Sequence, residues 1–390
     1  MSVAPQPSRH EQRTEPRRIA LVHDYLVQDG GAERTLLALH EMYPRAPIYT
    51  LFHNPKRTHA GFKGADIRTS SLNNLPFAKK LYTWYLPFMP QAIEEFDLQR
   101  YDLVISSSSS FAKGLIAAPH ALHICYLHTP TRYLWQERMG YVNEQRMPSI
   151  VKRFLPSYLH RLRQWDFQAA TRPDHILTNS LLSQARIKRY YARSSVVLPP
   201  PVDVEQIPLS TRPGTYWLTG GRLVAYKRFD LVVQAFAKLN MPLKIFGEGP
   251  ELKKLKKMAG PKTEFLGHIS ETAKKELFRE AIAFLHPQIE DFGITAVEAM
   301  AAGRPVIAFG QGGATETVLN GVTGQFFEVQ TWEDIGNAAI RFDPSSYDPR
   351  RIRAHAEYFS KEHFKKRIRD YVEQAWSERQ QVQYPHTLSS

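Results

Sequence analysis

The chain has 390 residues, which suggests two or three domains, and its composition of 43% hydrophobic and 23% charged residues excludes a mainly disordered or collagen-like protein. Lys and Arg number 51 against 38 Asp and Glu, and the net charge of +13 favours an anionic partner: a nucleic acid, a membrane surface or a phosphorylated ligand. The single cysteine, Cys125, excludes an intramolecular disulfide framework and a CxxC zinc site, and it fits a reducing compartment.

Residues 1–17 are polar, contain three prolines and are predicted to form a disordered arm. They lack the hydrophobic segment of a secretory signal. Elsewhere no apolar run approaches the roughly 18–20 residues that cross a bilayer. The sequence therefore predicts a cytoplasmic protein that meets a membrane only peripherally.

Short apolar runs alternate with helical patterns along almost the whole chain, which indicates parallel sheets covered by helices on both faces. In the first half the predicted strands are Ile19–His23, Ile48–Phe52, Leu103–Ser106, His123–Leu127, His175–Asn179 and Val196–Leu198, and the predicted helices are Ala32–Met42, Val151–Ala170 and Leu181–Tyr191. In the second half the strands are Tyr216–Thr219, Leu243–Phe246, Glu264–Leu266, Ala283–His286 and Pro305–Ala308, and the helices are Phe229–Leu239, Pro250–Met258, Glu271–Ala281 and Ile294–Ala301.

The break between the halves lies at Pro199–Pro201, which a polar stretch with two further prolines follows. We predict an amino-terminal domain over 18–205 and a carboxyl-terminal domain over 206–355. Each would be a doubly wound α/β sheet, and the two would face each other across a cleft. A charged helix over 356–380 is expected to pack back on the amino-terminal domain, and 381–390 would form a tail.

The most informative run is His286–Ile307. A predicted strand ends at His286, the next loop carries Glu290, and a helix that begins after Gly293 bears Glu298. Ligands bind at the carboxyl ends of parallel strands, and Glu298 could accept hydrogen bonds from sugar or ribose hydroxyls. For two glutamates at this spacing alone, the simpler interpretation is that acidic residues cap a helix. The free amides at the helix start would form an anion site, and they belong to Gly293, Ile294 and Thr295.

This run resembles the E-x7-E signature of retaining glycosyltransferases, in particular glycosyltransferase family 4. The resemblance extends over nearly the whole chain and implies the GT-B fold, in which two Rossmann-like domains face each other with the active site between them. It implies that Glu290 contacts the donor sugar and Glu298 the nucleotide ribose. Phe292 and the helix start that follows it would also border the donor.

A second motif, Gly220–Arg228, follows the first predicted strand of the second half. Arg222 and Lys227 stay charged at neutral pH and suit a diphosphate, because they can stabilise the charge that develops on the leaving group. Two solvated cations are the alternative. The motif is similar to the family's G-R-x4-K, and the resemblance makes Arg222 and Lys227 the phosphate clamps.

Two motifs of the first half would face this site. Gly30 and Gly31 lie between a strand and a helix, where glycine lets the backbone approach a ligand, although a simple loop is the better explanation of the pair by itself. In register with the other motifs the pair is similar to the family's glycine loop, which meets the donor phosphate. His128 follows an apolar strand, where histidine is often structural. The resemblance places it beside the donor sugar.

Weaker signals concern the nucleotide base. One predicted strand ends in a loop with Gly247, and the next ends in Gly267, His268 and Ile269. In relatives such loops lie near the nucleotide, yet ordinary strand-end turns need no function. The sequence has no Asp-x-Asp at a strand end and no His/Cys cluster, so we expect no metal and no cofactor beyond the substrate nucleotide sugar.

Basic and aromatic residues interleave in two stretches of the first half. Between Arg146 and Arg172 six basic residues accompany one acidic residue, Asp166, and Lys79–Met89 places two lysines beside a dense aromatic run. Such segments can lie on an anionic bilayer. Alternatively, their apolar residues are core and their cations a solvated face. Because family relatives bind acceptors with this half, we expect a polyprenyl-diphosphate-linked acceptor handled at the inner face of the cell membrane.

Four amino-terminal runs, Ile19–Leu26, Gly30–Arg34, Asp102–Ser107 and His123–Pro130, together resemble the O-antigen and exopolysaccharide mannosyltransferase branch of the family. The resemblance implies transfer of α-mannose from GDP-mannose to a lipid-linked saccharide in bacterial polysaccharide biosynthesis. A UDP-sugar donor and a sugar-nucleotide epimerase of the same architecture remain alternatives. A nucleic-acid-binding protein is not favoured, since no helix-turn-helix, RNP or zinc signature is present.

Overall fold

The computed structural model of the chain describes residues 17–136, 149–212 and 214–383. The predicted arm lies outside these residues except for Arg17, whose guanidinium bonds the Glu373 carboxylate at 2.6 and 2.7 Å and stacks on Trp376. Of the predicted tail, the residues 381–383 are described, and they continue the last helix.

The first half forms a sheet of seven strands. They are β1 (Ile19–His23), β2 (Ile48–Thr50), β3 (Ile67–Thr69), β4 (Leu103–Ser108), β5 (Leu122–Leu127), β6 (His175–Thr178) and β7 (Val196–Val197). All neighbouring pairs are parallel, and the order is β3-β2-β1-β4-β5-β6-β7.

The second half forms a six-stranded parallel sheet. Its strands are β8 (Tyr216–Gly220), β9 (Leu243–Phe246), β10 (Thr263–Gly267), β11 (Ala281–His286), β12 (Val306–Phe309) and β13 (Gly324–Phe327). The order is β10-β9-β8-β11-β12-β13. In both sheets the strand order therefore reverses beside the first strand, at β1/β4 and at β8/β11, which is where open α/β sheets bind ligands.

Helices connect the strands and cover both sheets. In the first half they are Gly31–Met42, Ala78–Leu81, Met89–Glu94, Arg132–Trp135, Ser149–Ala169 and Leu181–Tyr191. In the second half they are Phe229–Leu239, Leu252–Met258, Glu271–Glu280, Ile294–Ala301, Ala314–Thr317, Trp332–Ile340, Pro349–Glu357 and Lys361–Gln383. Among the described residues, no helix combines the length and the apolarity needed to cross a bilayer.

The two-sheet architecture confirms the predicted fold class, but two strands escaped prediction. The edge strand β3 has three half-buried residues and is too short to show an alternating pattern. The strand β13 begins with Gly324, a residue that normally indicates a turn. Here a Cβ at this position would lie 1.9 Å from the Val306 carbonyl oxygen, so the close approach to β12 requires glycine.

The chain crosses between the domains at the three prolines and returns with its last helix. Val202 and Val204 already pack into the core of the second domain, just after Pro199–Pro201. The helix Lys361–Gln383 buries one apolar face against the first sheet, where it contacts the core around β1 and β5. That face consists of Phe364, Ile368, Val372 and Ala375.

The helix Ser149–Ala169 buries three leucines of the basic stretch. Leu155, Leu159 and Leu162 belong to the core of the first domain, so the core interpretation holds for these three residues. Its one acidic residue, Asp166, is fully buried with Lys113, and the carboxylate and ammonium are 2.6 Å apart. The same carboxylate accepts hydrogen bonds at 2.7 Å from Thr131, Trp135 and Tyr191.

We predict that Asp166→Asn destabilises the protein by about 3–5 kcal/mol, because it leaves a buried ammonium without its counter-charge. Urea unfolding followed by tryptophan fluorescence measures the loss. The matched control is Glu276→Gln, which breaks an exposed pair with Arg279 and should cost less than about 1 kcal/mol. Equal losses in the two variants would contradict this prediction.

Candidate functional site

Two cavities lie between the sheets, where the carboxyl ends of β1, β4, β5, β8 and β11 converge. Cavity one has about 490 Å³ and cavity two about 510 Å³. Lys227 and Gly31 line both. Of the predicted site residues, cavity one is lined by Gly31, His128, Lys227, Glu290, Phe292, Gly293, Ile294 and Thr295. Cavity two is lined by Gly30, Gly31, Arg222, Lys227, Gly247, His268, Ile269, Ile294, Thr295 and Glu298.

Glu290 lines cavity one, on the loop after β11, next to Lys227, which lines both cavities. Its carboxylate bonds the Lys227 ammonium at 2.7 Å and lies 3.8 Å from His286 Nε2. Burial raises the pKa of Glu290, but the charge and the hydrogen bond of the Lys227 ammonium outweigh it and leave the pKa below its ordinary value. Glu290 is therefore an anion at neutral pH, and it is joined directly to the predicted phosphate clamp.

Glu298 lies on the helix Ile294–Ala301 and points into cavity two. Its carboxylate bonds Lys274 at 2.8 Å and lies 3.6 Å from the Arg34 guanidinium. Arg34 belongs to the amino-terminal domain and also bonds Glu271 at 2.7 Å. The sequence analysis assigned no role to Arg34 or Lys274. Arg34 lies more than 200 residues from its partners, and Lys274 lies on a different helix from Glu298.

Two glycines let the elements around the cavities approach one another. Gly293 has a φ of +93°, a left-handed conformation that turns the loop into the helix Ile294–Ala301. Gly31 approaches this helix from the other domain, and a Cβ on it would lie 2.7 Å from Ile294 Cδ1. The glycine loop and the start of this helix therefore touch across the cleft. Gly31 and Ile294 accordingly line both cavities.

His128 ends up in cavity one as a buried neutral imidazole. Its Nε2 lies 2.9 Å from the Ser107 hydroxyl. Burial, assisted by repulsion from His23, lowers the pKa of His128 to about 3. The residue can therefore offer a hydrogen bond to a ligand in cavity one, but it carries no charge at neutral pH.

Asp24 fixes the amino-terminal wall of cavity one, and the sequence analysis missed it. The carboxylate follows β1 and accepts backbone hydrogen bonds at 2.5–2.9 Å from four successive amides. These amides belong to Ser109, Ser110, Phe111 and Ala112. The available signal for Asp24 was its position directly after a predicted strand, because polar residues at strand ends often belong to a site. Ser109 and Ser110 thereby hold their places in the lining.

The loops assigned to the base lie at cavity two, with one exception. Gly247 has a φ of +107°, and a Cβ there would lie 1.9 Å from the Gly221 carbonyl oxygen. His268 and Ile269 line the cavity, whereas Gly267 does not. The Gly267 carbonyl instead accepts a hydrogen bond from the Gly247 amide at 2.7 Å. Gly267 therefore joins the two loops and does not face the cavity.

The described residues contain no group of three His, Cys, Asp or Glu side chains that could hold a metal ion. Independence from metal stays a prediction. The cavities thus combine cations, hydroxyls and ionised carboxylates at the facing carboxyl ends of two parallel sheets, an arrangement suited to an anionic ligand that carries hydroxyl groups.

This fold and site define a two-domain enzyme with its ligand cleft between Rossmann-like halves. Two family models cover the chain: residues 29–206 match Glycosyltransferase Family 4, and residues 203–379 match Glycosyl transferases group 1. The chain belongs to this family of glycosyltransferases.

Among curated proteins, the chain is 28% identical over 254 residues to mannosylfructose-phosphate synthase of Agrobacterium fabrum, a match that covers 55% of each chain. The matched part thus spans about half the length of that relative. Among solved structures, it is similar to Anabaena Alr3699/HepE in complex with UDP and glucose, with a TM-score of 0.68, 18% identity and coverage of 92% of this chain and 100% of the other. Sucrose-phosphate synthase from Thermosynechococcus elongatus gives a TM-score of 0.71 and 17% identity, with coverage of 93% and 100%. These likenesses confirm the GT-B fold.

We predict that His128→Gln reduces the acid sensitivity of the fold. An unfolded histidine has a pKa near 6.5, so between pH 6.5 and about 3 the unfolded chain binds a proton that His128 refuses in the folded state, and stability falls as pH falls. Urea unfolding at pH 7 and pH 5 should show that the variant loses about 2 kcal/mol less than the wild type between these values.

The matched control is His160→Gln, at an exposed histidine of the same domain. It should leave the pH dependence unchanged. If both variants show the pH dependence of the wild type, His128 is not a buried neutral imidazole in the folded protein.

Proposed function

We propose that the protein transfers α-mannose from GDP-mannose, with retention of configuration, to a polyprenyl-diphosphate-linked saccharide in bacterial polysaccharide biosynthesis. The observation that carries the proposal is the 2.7 Å pair between Lys227 and Glu290 at the border of the two cavities. A nucleotide in cavity two would bring its diphosphate to Lys227, and its sugar would then lie in cavity one against Glu290.

Charge stabilisation is the chemical step that this arrangement supports best. When the bond between sugar and diphosphate breaks, negative charge builds on the leaving phosphate. Lys227 and Arg222 lie where they would neutralise it, and the amides that begin the helix Ile294–Ala301 add partial positive charge. Ionised Glu290 would hold the sugar and favour positive charge at its anomeric carbon.

The acceptor would enter from the amino-terminal wall of cavity one. That wall presents the hydroxyls of Ser109, Ser110 and Thr129 and the amide of Asn179. Among the described residues that line cavity one, the carboxylates belong to Glu290 and Asp291, which lie on the opposite wall. This supports attack by the acceptor hydroxyl from the face that the diphosphate leaves, with the leaving phosphate taking the proton.

Guanine recognition is supported by Glu271 at cavity two. Burial raises the pKa of this carboxyl, but Lys274 and Arg34 lower it by more than burial raises it. The carboxyl is therefore ionised at neutral pH. A carboxylate accepts two hydrogen bonds side by side. Guanine offers two adjacent N–H groups on one edge, whereas uracil offers one. The resemblance to the mannosyltransferase branch and to mannosylfructose-phosphate synthase supports mannose as the sugar.

A UDP-sugar is the second candidate donor, because the structurally similar Alr3699/HepE was solved with UDP and glucose. A sugar-nucleotide epimerase would isomerise the donor when no acceptor is present. The phosphate clamps together with the paired glutamates favour transfer over isomerisation.

Calorimetric titration with GDP and UDP, followed by hydrolysis assays with GDP-mannose and UDP-glucose, tests the donor. We expect GDP to bind more tightly than UDP. Glu271→Ala should weaken GDP binding about tenfold or more and leave UDP binding within twofold, since hydrogen bonds to a charged group contribute roughly 1.5–3 kcal/mol.

Glu298→Ala is the matched comparison. It should weaken GDP and UDP equally, because both contain the ribose. Turnover of UDP-glucose without turnover of GDP-mannose would overturn the proposed donor.

Contact with a membrane is supported by an exposed apolar patch in the first domain, which we define as Leu75, Phe77, Leu81, Trp84 and Phe88. Phe77 is 74% exposed, Trp84 is 59% exposed and Phe88 is 55% exposed. The sequence of the helix Ala78–Leu81 contains two lysines. Exposed apolar rings in a segment whose sequence also holds lysines suit the interface of an anionic bilayer. From the same segment, Tyr82 packs on Tyr25, two residues after β1, so the segment is anchored near the carboxyl end of that strand.

We predict that the protein floats with vesicles of phosphatidylglycerol and phosphatidylethanolamine. The double variant Phe77→Ser/Trp84→Ser should lower the bound fraction about fivefold or more, because burial of each large apolar side chain contributes roughly 1.5–3 kcal/mol. Ile340→Ser removes an equally exposed apolar side chain from the second domain and should change nothing. Absence of wild-type flotation would refute the membrane proposal.

A further inference from the structure

The helix Leu181–Tyr191 of the amino-terminal domain is held by two carboxylates of the other domain. At its beginning, the amides of Leu181 and Leu182 donate to the Glu316 carboxylate at 2.7 and 3.0 Å. One turn further along, the Arg186 guanidinium bonds Asp291. The helix therefore contacts the carboxyl-terminal domain through its positive end and through a cationic side chain.

Asp291 receives a second arginine from the amino-terminal domain. Arg132 bonds its other carboxylate oxygen at 2.6 Å and lies over the Tyr226 ring, 5.7 Å from its centroid. Both oxygens of Asp291 are thus occupied by arginines from across the cleft, and the side chain is only 11% exposed. Its immediate neighbour Glu290 is bound to Lys227 of its own domain.

The loop that carries both acidic residues is rigidly attached to the element that carries Glu316. The Gly313 amide donates to the Glu290 carbonyl at 2.8 Å, and a Cβ on Gly313 would lie 2.4 Å from the Asp291 carbonyl oxygen. The short helix Ala314–Thr317, which holds Glu316, starts directly after Gly313. A displacement of Asp291 would therefore be passed to the backbone of Glu290.

We propose that Asp291 is a positioning residue that sets the place of Glu290 against the amino-terminal wall of cavity one. The Arg132–Asp291–Arg186 bridge ties the Glu290 loop to the acceptor side of the cleft, with Glu316 as a second tie to the same helix. The inference rests on the proposed function in one respect: it takes cavity one as the place where sugar and acceptor meet. Asp291 lines cavity one and not cavity two, so it acts on transfer and not on nucleotide binding.

The test compares Asp291→Asn, Arg186→Gln and the double variant with Glu276→Gln, which breaks an exposed ion pair inside the second domain. Three readouts are taken: kcat for GDP release from GDP-mannose, Kd for GDP by calorimetry, and the radius of gyration in nucleotide-free solution. We expect kcat to fall about 10- to 100-fold in Asp291→Asn, as a misplacement on the order of 1 Å can cause. The Kd for GDP should stay within twofold, and the radius of gyration should increase.

Arg186→Gln, at a half-buried surface position, should reproduce part of the loss of kcat, and Arg186→Lys should restore part of it. The double variant should lose no more than Asp291→Asn alone, because both changes remove one bridge. The inference is overturned by a kcat within twofold of the wild type, by a Kd for GDP that rises with the loss of kcat, or by additive losses in the double variant.

The proposed function and this inference fail in different ways. Lack of turnover of GDP-mannose by the wild type refutes the donor, and the assay is then repeated with UDP-glucose. The radius of gyration and the affinity for the nucleoside diphosphate of the active donor, GDP or UDP, test the bridge in either case, and an unchanged radius in both single variants refutes it.

Discussion

Three carboxylates of the cleft, those of Glu290, Asp291 and Glu298, are each paired with a cation, and the arrangement of the site depends on this pairing. Glu290, Asp291 and Glu298 are partly or wholly buried, and a buried carboxylate without a partner would cost several kcal/mol. Lys227 and Lys274 supply the counter-charge within the second domain, whereas arginines supply it from the first. The ion pairs between these carboxylates and the arginines of the first domain thus also hold the two domains together.

This pairing gives part of the net charge of +13 a specific place. On the proposed function, a diphosphate that enters the cleft would meet cations that already hold carboxylates, so its binding would exchange one partner for another. Such an exchange needs little reorganisation of the cations, because their side chains are fixed before the ligand arrives. The patch around Trp84 concerns a different part of the surface, where exposed rings and not ion pairs define the chemistry.

Local patterns in the sequence were sufficient for most of the fold. The helices Phe229–Leu239 and Ile294–Ala301 have the predicted bounds, because their apolar periodicity is uninterrupted. Strand β13 was missed, because its glycine is explained only by the approach to β12. Most of the predicted site residues line the two cavities, since the carboxyl ends of parallel strands meet at one edge.

The sequence could not predict the residues whose roles depend on distant partners. Asp166 resembled a stray acidic residue in a basic stretch, and its burial with Lys113 follows only from the packing of the helix Ser149–Ala169. Asp291 resembled a helix cap, and its two arginines lie 159 and 105 residues away.

Steric contact limits how far the ion pairs can close the cleft. Gly31 and Ile294 face each other, and a Cβ on Gly31 would lie 2.7 Å from Ile294 Cδ1, closer than packed side chains approach. A side chain at position 31 would require the end of the Ile294 side chain to move before the bridges to Asp291 and Glu298 could keep their lengths. The absence of a side chain at Gly31 therefore leaves room for the arginines of the first domain to reach Asp291 and Glu298 of the second.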